Sequence, residues 1–393
     1  MQNSYIPFHL PSIGEEEIAA VERVLRSGWL TTGPVAHEFE KEFAQYIGCK
    51  HALAVNSGTS ALQLALDAIG LKGGDEVLVP TYTFTATAEV VTYFGAKPVL
   101  CDSLAGGFNI DPADAEKRIT SRTKAIIPVH IGGEPCAMDA IQSLAVRHNL
   151  QVIEDAAHAL PASFGGQRVG TMSEFTAFSF YATKTITTGE GGMLTTNDDA
   201  YAARAALMRL HGIGKDAWKR YSRAGSWKYQ VMEAGYKCNL PDILAAVGLA
   251  QLRRCDSFLA KRRALVERYR SKLERLEEVE LPSAGPAGSE HAWHLFIVRT
   301  RPGILEINRD EFIEQLTEAG VGTSVHFIPL HRHPFYQEKY GVRQESFPNA
   351  ENAYSRCISL PLYPDLAEKD ADYVAQTVIN IVRKYRGARA VKV

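Results

Sequence analysis

Short apolar runs rich in β-branched residues alternate with stretches of helical spacing between His51 and Asp155. The runs 51–55, 76–79, 98–101, 125–129 and 152–153 read as buried strands, and apolar positions between them recur every three or four residues. This alternation predicts a mostly parallel sheet with helical crossovers, an α/β fold. Two further strands, 177–180 and 192–195, flank a Gly-rich turn. Ser12-Ile13-Gly14-Glu15 has the capping-box pattern and predicts a helix running to about Ser27. Beyond Pro241 a pattern rich in Leu, Ala and Arg predicts one long helix to about Leu276. Residues 282–288 read as loop, and 294–299, 309–318 and 323–327 as strand, helix and strand, with a closing helix over 367–384. The implied division is a large α/β domain over 1–250, then a linking helix and a smaller α+β domain over 251–393.

Composition narrows the function classes. The 393 residues suit about two domains. A net charge of −2 gives no footprint for nucleic acid or an anionic membrane. The six cysteines are scattered without CxxC spacing and read as reduced thiols in a cytoplasmic chain. The amino end lacks a signal-peptide pattern, and no apolar run is long enough to cross a bilayer. His331-Arg332-His333 has no supporting carboxylate or cysteine nearby in sequence, so no metal is expected. Arg253, Arg254, Arg262 and Arg263 have the spacing of a solvated helix face. The charged 212–228 stretch, with Trp218, Tyr221 and Trp227, reads as a flap.

Four segments carry candidate chemistry. Lys184 follows the apolar run Phe178-Ser179-Phe180 and precedes Gly189-Glu190-Gly191-Gly192. A lysine held in a dry pocket there loses pKa, frees its lone pair and can form a Schiff base with an aldehyde cofactor; a surface loop lysine is the ordinary alternative. Ser57-Gly58-Thr59 lies at a strand-to-helix turn, where free N–H groups and the helix dipole favour a phosphate; a plain N-cap uses the same residues. Glu154-Asp155-Ala156-Ala157-His158 ends a strand, where α/β proteins place ligands. Asp155 there could keep a ring nitrogen protonated, while His158 orients cofactor or acid or is simply structural. Phe84, in Pro80-Thr81-Tyr82-Thr83-Phe84, could stack on a flat ring or pack in the core.

Together with Ser27–Pro34, Gly235–Leu240 and Ser359–Leu362, these segments resemble the DegT/DnrJ/EryC1/StrS family of pyridoxal-phosphate-dependent sugar aminotransferases, in that family's order over nearly the whole chain. The look is nearest to enzymes that aminate 4-keto nucleotide sugars. The resemblance implies a fold-type-I architecture: a mostly parallel seven-stranded sheet between helices, with the smaller C-terminal domain. It implies that Lys184 carries the cofactor, Asp155 binds the pyridine nitrogen and Phe84 stacks on the ring. Ser57, Gly58, Thr59 and Ser179 would hold the phosphate, with Asn239 reaching it from the partner subunit of a homodimer. His158 stands where many relatives have Gln. Trp29, Thr31, Thr32 and His326 would line the substrate side.

The activity so implied is ping-pong transfer of an amino group from L-glutamate to a keto nucleotide sugar, for surface polysaccharide, lipopolysaccharide or glycan biosynthesis. A related sugar dehydratase, which typically has His in place of the lysine, and a non-catalytic cofactor-binding regulator are the rival readings. Which sugar, nucleotide and carbon are used stays open, as does the donor's carboxylate partner, for which Arg209 is a candidate.

Overall fold

The computed structural model describes residues 5–214 and 228–387. Most of the predicted flap, including Trp218, Tyr221 and Trp227, lies outside the described residues. In chain order the first half contains α1 (Glu15–Ser27), α2 (Pro34–Ile47), β1 (His51–Val55), α3 (Gly58–Ala68), β2 (Glu76–Pro80), α4 (Ala86–Thr92), β3 (Lys97–Cys101), α5 (Pro112–Lys117), β4 (Thr123–Ile126), α6 (Met138–His148) and β5 (Gln151–Asp155). A small hairpin, β6 (Ser163–Phe164) and β7 (Gln167–Arg168), precedes β8 (Phe175–Ser179), β9 (Gly192–Thr196) and α7 (Asp199–Met208). The remainder holds α8 (Asp242–Arg253), α9 (Cys255–Leu273), β10 (Val279–Glu280), β11 (Ser289–Glu290), β12 (Phe296–Thr300), α10 (Arg309–Glu318), α11 (Pro334–Tyr340), α12 (Pro348–Tyr354), β13 (Cys357–Leu360) and α13 (Glu368–Tyr385).

Seven strands form one sheet in the order β1-β9-β8-β5-β4-β2-β3. All neighbours pair parallel except β9, which runs antiparallel to both β1 and β8. The carboxyl ends of β1, β2, β5 and β8 therefore open on the same edge, and β9 begins there. β2 and β5 are buried almost throughout, as a sheet covered on both faces requires. One apolar cluster joins this sheet to residues of the later chain such as Leu295, Leu330 and Cys357. A second gathers Leu259, Tyr269, Phe296, Phe312, Ile358, Val374 and Val378, with Ile6 added from the amino end.

Three sequence expectations change in detail. The first helix starts at Glu15 after Gly14, and the Glu17 carboxylate accepts the Gly14 N–H at 2.7 Å; Ser12 is buried and accepts from Arg254 Nη2 at 3.2 Å instead of capping. The long helix after Pro241 breaks at Arg254 into α8 and α9. Residues 323–327 make a single bridge, Ser324 to Ser359, and no strand. The arginines also divide. Arg253 is exposed and pairs with Glu38 and Glu42, but Arg262 is fully buried, its Nη1 donating to the carbonyls of Trp293, His294 and Leu362 at 2.8–3.2 Å. The charged face proposed for α9 thus holds a clamp between that helix and two later loops. Among the described residues, no helix is long and apolar enough to cross a membrane.

Candidate active site

Lys184 sits in the loop between β8 and β9. That loop closes on itself: the Thr188 N–H donates to the Phe180 carbonyl at 3.0 Å, the Phe180 N–H to the Gly191 carbonyl at 2.8 Å, and the Lys184 N–H to the Tyr181 carbonyl at 2.9 Å. The side chain is half-buried, and burial lowers its amine to about 8, with the charge of Asp155 pulling the other way. An amine in that range is partly free base near neutral pH.

Asp155 ends β5 and is buried. Its Oδ1 accepts the Ala157 N–H at 3.1 Å and its Oδ2 accepts the Thr87 hydroxyl at 2.9 Å. Burial raises the pKa of this carboxyl; the Ala157 and Thr87 hydrogen bonds, Lys184 and His130 oppose the rise. The acid and the amine are close enough that each favours the charge of the other.

Ser57, Gly58 and Thr59 form the turn from β1 into α3. Ser57 caps that helix, its Oγ accepting the Ser60 N–H at 3.1 Å. Ser179 closes β8 against this turn. A Cβ on Gly58 would lie 3.0 Å from Ser179 Cβ, and one on Gly192 would lie 2.6 Å from the Ser57 carbonyl carbon and oxygen. The turn and both strands meet at a distance only glycine permits.

Imidazoles and aromatic rings make the opposite wall. His158 Nδ1 accepts the Gly132 N–H at 3.2 Å, which leaves the proton of the neutral ring on Nε2. Its ring stacks on Phe327 at 5.6 Å and lies 4.4 Å from His294. Phe84 is largely exposed, with its ring 5.7 Å from Phe327. His326 Nδ1 is 2.9 Å from Ser359 Oγ, and burial, then Lys184, lowers this ring to about 4. Burial also holds His158 and His294 well below their usual value. All three rings are neutral at pH 7, so the lysine is the group here that titrates near working pH.

The DegT/DnrJ/EryC1/StrS aminotransferase family matches residues 11–379. The chain belongs to that family. It is 46% identical over 383 residues to the spore coat polysaccharide biosynthesis protein SpsC of Bacillus subtilis, covering 97% of this chain and 98% of SpsC. Among solved structures, Spr1654 from Streptococcus pneumoniae in its PLP-form superposes with a TM-score of 0.90 at 34% identity, covering 97% of this chain and 99% of that one. Helicobacter pylori PseC, an aminotransferase involved in the biosynthesis of pseudoaminic acid, gives the same TM-score at 28% identity, over 97% of this chain and all of PseC. The architecture is the fold-type-I one of these transferases.

The donor set fits pyridoxal phosphate: a lysine amine of lowered pKa, a buried carboxylate, and a Ser-Gly-Thr turn at a helix N-terminus, where backbone N–H groups and the helix dipole favour an anion. Of the sequence candidates, Lys184, Asp155, His158 and His326 converge through their charges, and Ser57, Gly58 and Ser179 meet at the turn. Trp29, Thr31, Thr32 and Asn239 are tied together by hydrogen bonds around Thr32 and Asp242. Trp29 Nε1 donates to the Thr32 carbonyl at 3.2 Å, the Asp242 N–H to the Thr31 carbonyl at 3.2 Å, and Asn239 Nδ2 to Thr32 Oγ1 at 2.6 Å. Asn239 also bridges Val55 through the backbone, directly beside the turn of its own chain. Arg209, the candidate carboxylate partner, is committed to Glu40 and to the Ala54 carbonyl. His331 lies between Thr81 Oγ1 at 2.7 Å and Glu351 Oε1 at 2.5 Å, which pins the segment after Pro329 to the turn bearing Phe84. Sequence reasoning assigned no role to Thr87, Phe327 or His294. Thr87 lies three residues beyond Phe84, and its signal in the sequence is a spacing of four from Thr83.

Proposed function

We propose that this chain transfers an amino group from L-glutamate to a keto nucleotide sugar, with a 4-keto sugar as the first choice. It is a cytoplasmic, pyridoxal-phosphate-dependent reaction that feeds surface polysaccharide, lipopolysaccharide or glycan assembly. On this reading residues 1–250 hold the cofactor and 251–393 supply the linking helix and the smaller domain. The observation that carries the reading is the coupling of a lysine amine near pKa 8 to the buried Asp155 carboxylate, in a chain that also places Ser57-Gly58-Thr59 at the N-terminus of α3.

The cofactor, when bound, supplies an electrophilic carbon and an electron sink. Lys184 Nζ would hold it and would also carry the donor's α proton, taking it as base and giving it back as acid; a pKa near 8 suits both directions at neutral pH. Asp155 would hold a proton on the ring nitrogen. Ser57, Gly58, Thr59 and Ser179 would hold the phosphate, and Phe84 would cover one face of the ring. His158 and His326, both neutral, orient cofactor and substrate without adding charge, and Trp29 and Thr31 lie toward the substrate side.

We also place the enzyme as a homodimer in which Asn239 serves the phosphate of the neighbouring subunit. Leu25 and Leu30 stand about half exposed, apolar surface of the kind a partner covers. The test is spectroscopic. L-glutamate should bleach the absorbance of the purified holoenzyme, and one member of a panel of 3-keto and 4-keto nucleotide sugars should restore it. No bleaching, or no sugar of the panel restoring the absorbance when 2-oxoglutarate, the product of the first half-reaction, does restore it, would defeat the assignment.

A further inference from the structure

Asp155 is held on both oxygens, and one of the two donors is a side chain from a distant element. The Thr87 hydroxyl, in α4, meets Oδ2 at 2.9 Å across 68 residues of sequence. Thr83 Oγ1 lies 2.8 Å from Thr87 Oγ1. A hydroxyl has one proton, and an ionised carboxylate only accepts. Thr87 therefore spends its proton on Asp155, and Thr83 must donate to Thr87. Both threonines are buried, at 1% and 0% exposure. Threonine in a helix commonly turns back to the carbonyl four residues earlier; here both hydroxyls form a directed chain that ends on the acid. Such chains polarise one another in a low dielectric.

We propose that Thr87, backed by Thr83, is a positioning residue that fixes Asp155 Oδ2 and so governs the grip of this acid on the cofactor's ring nitrogen. The inference rests on the reading of Asp155 given above. The other groups facing the carboxylate are the Ala157 N–H on Oδ1, the Lys184 amine from the β8–β9 loop, and the His130 ring and Cys136 thiol from the segment after β4. The His130 ring is engaged elsewhere, with Nε2 3.0 Å from Glu154 and Nδ1 accepting the Cys136 N–H at 3.0 Å. Thr87 is thus the one side-chain hydrogen bond to Asp155 among the described residues.

The experiment compares Thr87→Val, Thr87→Ser, Thr83→Val, the double valine variant and Asp155→Asn in the full-length chain. Two signals are followed by NMR: the Asp155 carboxyl in cofactor-free protein, and the nitrogen-15 resonance of labelled cofactor in the holoenzyme. Thr87→Val should make Asp155 harder to ionise by roughly ten- to hundred-fold, the loss expected for a hydrogen bond to a charged group. It should also move the ring nitrogen toward its unprotonated position. Thr87→Ser should restore both signals, Thr83→Val should give a smaller shift, and the double variant should match Thr87→Val. An Asp155 titration unchanged in Thr87→Val, or a serine variant no better than valine, would overturn the proposal. If Asp155→Asn moves the ring-nitrogen signal while Thr87→Val does not, the relay fails and the reading of Asp155 survives. If Asp155→Asn leaves that signal in place, the reading of Asp155 falls and the proposal with it.

Discussion

A lysine whose amine titrates near 8 attacks an aldehyde on a different pH schedule from one at its ordinary value. Only the free base is a nucleophile, so the fraction of Lys184 able to attach pyridoxal phosphate rises through pH 8 and then levels. The rate of cofactor uptake by cofactor-free protein should follow that curve, with a plateau by about two pH units above the midpoint; a rate still climbing steeply past pH 10 would mean an ordinary surface amine. Lys184→Ala should still bind the cofactor through the turn and Asp155, but turnover should fall by at least about a thousand-fold, since it removes both the attachment point and the proton carrier. Steady-state rates and the absorbance of bound cofactor check the two halves separately. At this scale Lys184, Asp155 and the 57–59 turn each stand at the end of an apolar run, a position that a loop lysine, a structural acid or a plain N-cap also takes, and only their combination in one order along the chain singled them out. Thr87 was not, because its significance lies in a carboxylate 68 positions away. Arg262 was misread because its helix is rich in charge, and nothing local marks the one guanidinium that turns inward to three carbonyls.

At the scale of elements, the site depends on how closely β8, β9 and the turn into α3 approach. The limiting contact is Gly192 at the start of β9. Its missing side chain is replaced by backbone: Ser57 C and O at 2.6 Å and the Phe178 carbonyl at 2.7 Å from where a Cβ would stand. Backbone on both sides leaves no flexible group to yield. Gly192→Ala should therefore push the turn outward, destabilise the fold by about 1–3 kcal/mol and weaken cofactor retention. Thermal unfolding and equilibrium dialysis measure these, and an alanine variant with native retention would show that the turn is not the phosphate cradle. Strands of the sheet were readable as short continuous apolar runs, which strands covered on both faces require, and the helices between them by their spacing of three to four. The stretch 323–327 alternates like a strand and meets the open edge of β13, but it joins that edge through the single Ser324–Ser359 bridge. The break at Arg254 was hidden because Gln251 to Asp256 contains neither Gly nor Pro.

For the whole molecule the open question is which subunit's Asn239 serves a given site. Within one chain, Asn239 bridges Val55, and its amide is shared between Thr32 and Lys237 Nζ at 2.7 Å, so the residue lies beside its own turn as well as near apolar surface. The proposed reading has it reach across a subunit boundary, and no pattern of apolar periodicity bears on that, since the periodicity reports the core of a single chain. Complementation separates the two arrangements. Lys184→Ala lacks the attachment point, and Asn239→Ala should hold cofactor weakly. In a mixed dimer with a shared site, one site combines both lesions and the other has neither, so equal mixing with free exchange should restore about a quarter of all sites, measured at limiting cofactor. If Asn239 acts within its own chain, every site in the mixture keeps one lesion and mixing restores nothing above the sum of the parents. The unmixed Asn239→Ala protein sets the baseline: cofactor retention as tight as in the unaltered chain would remove Asn239 from the site in either arrangement.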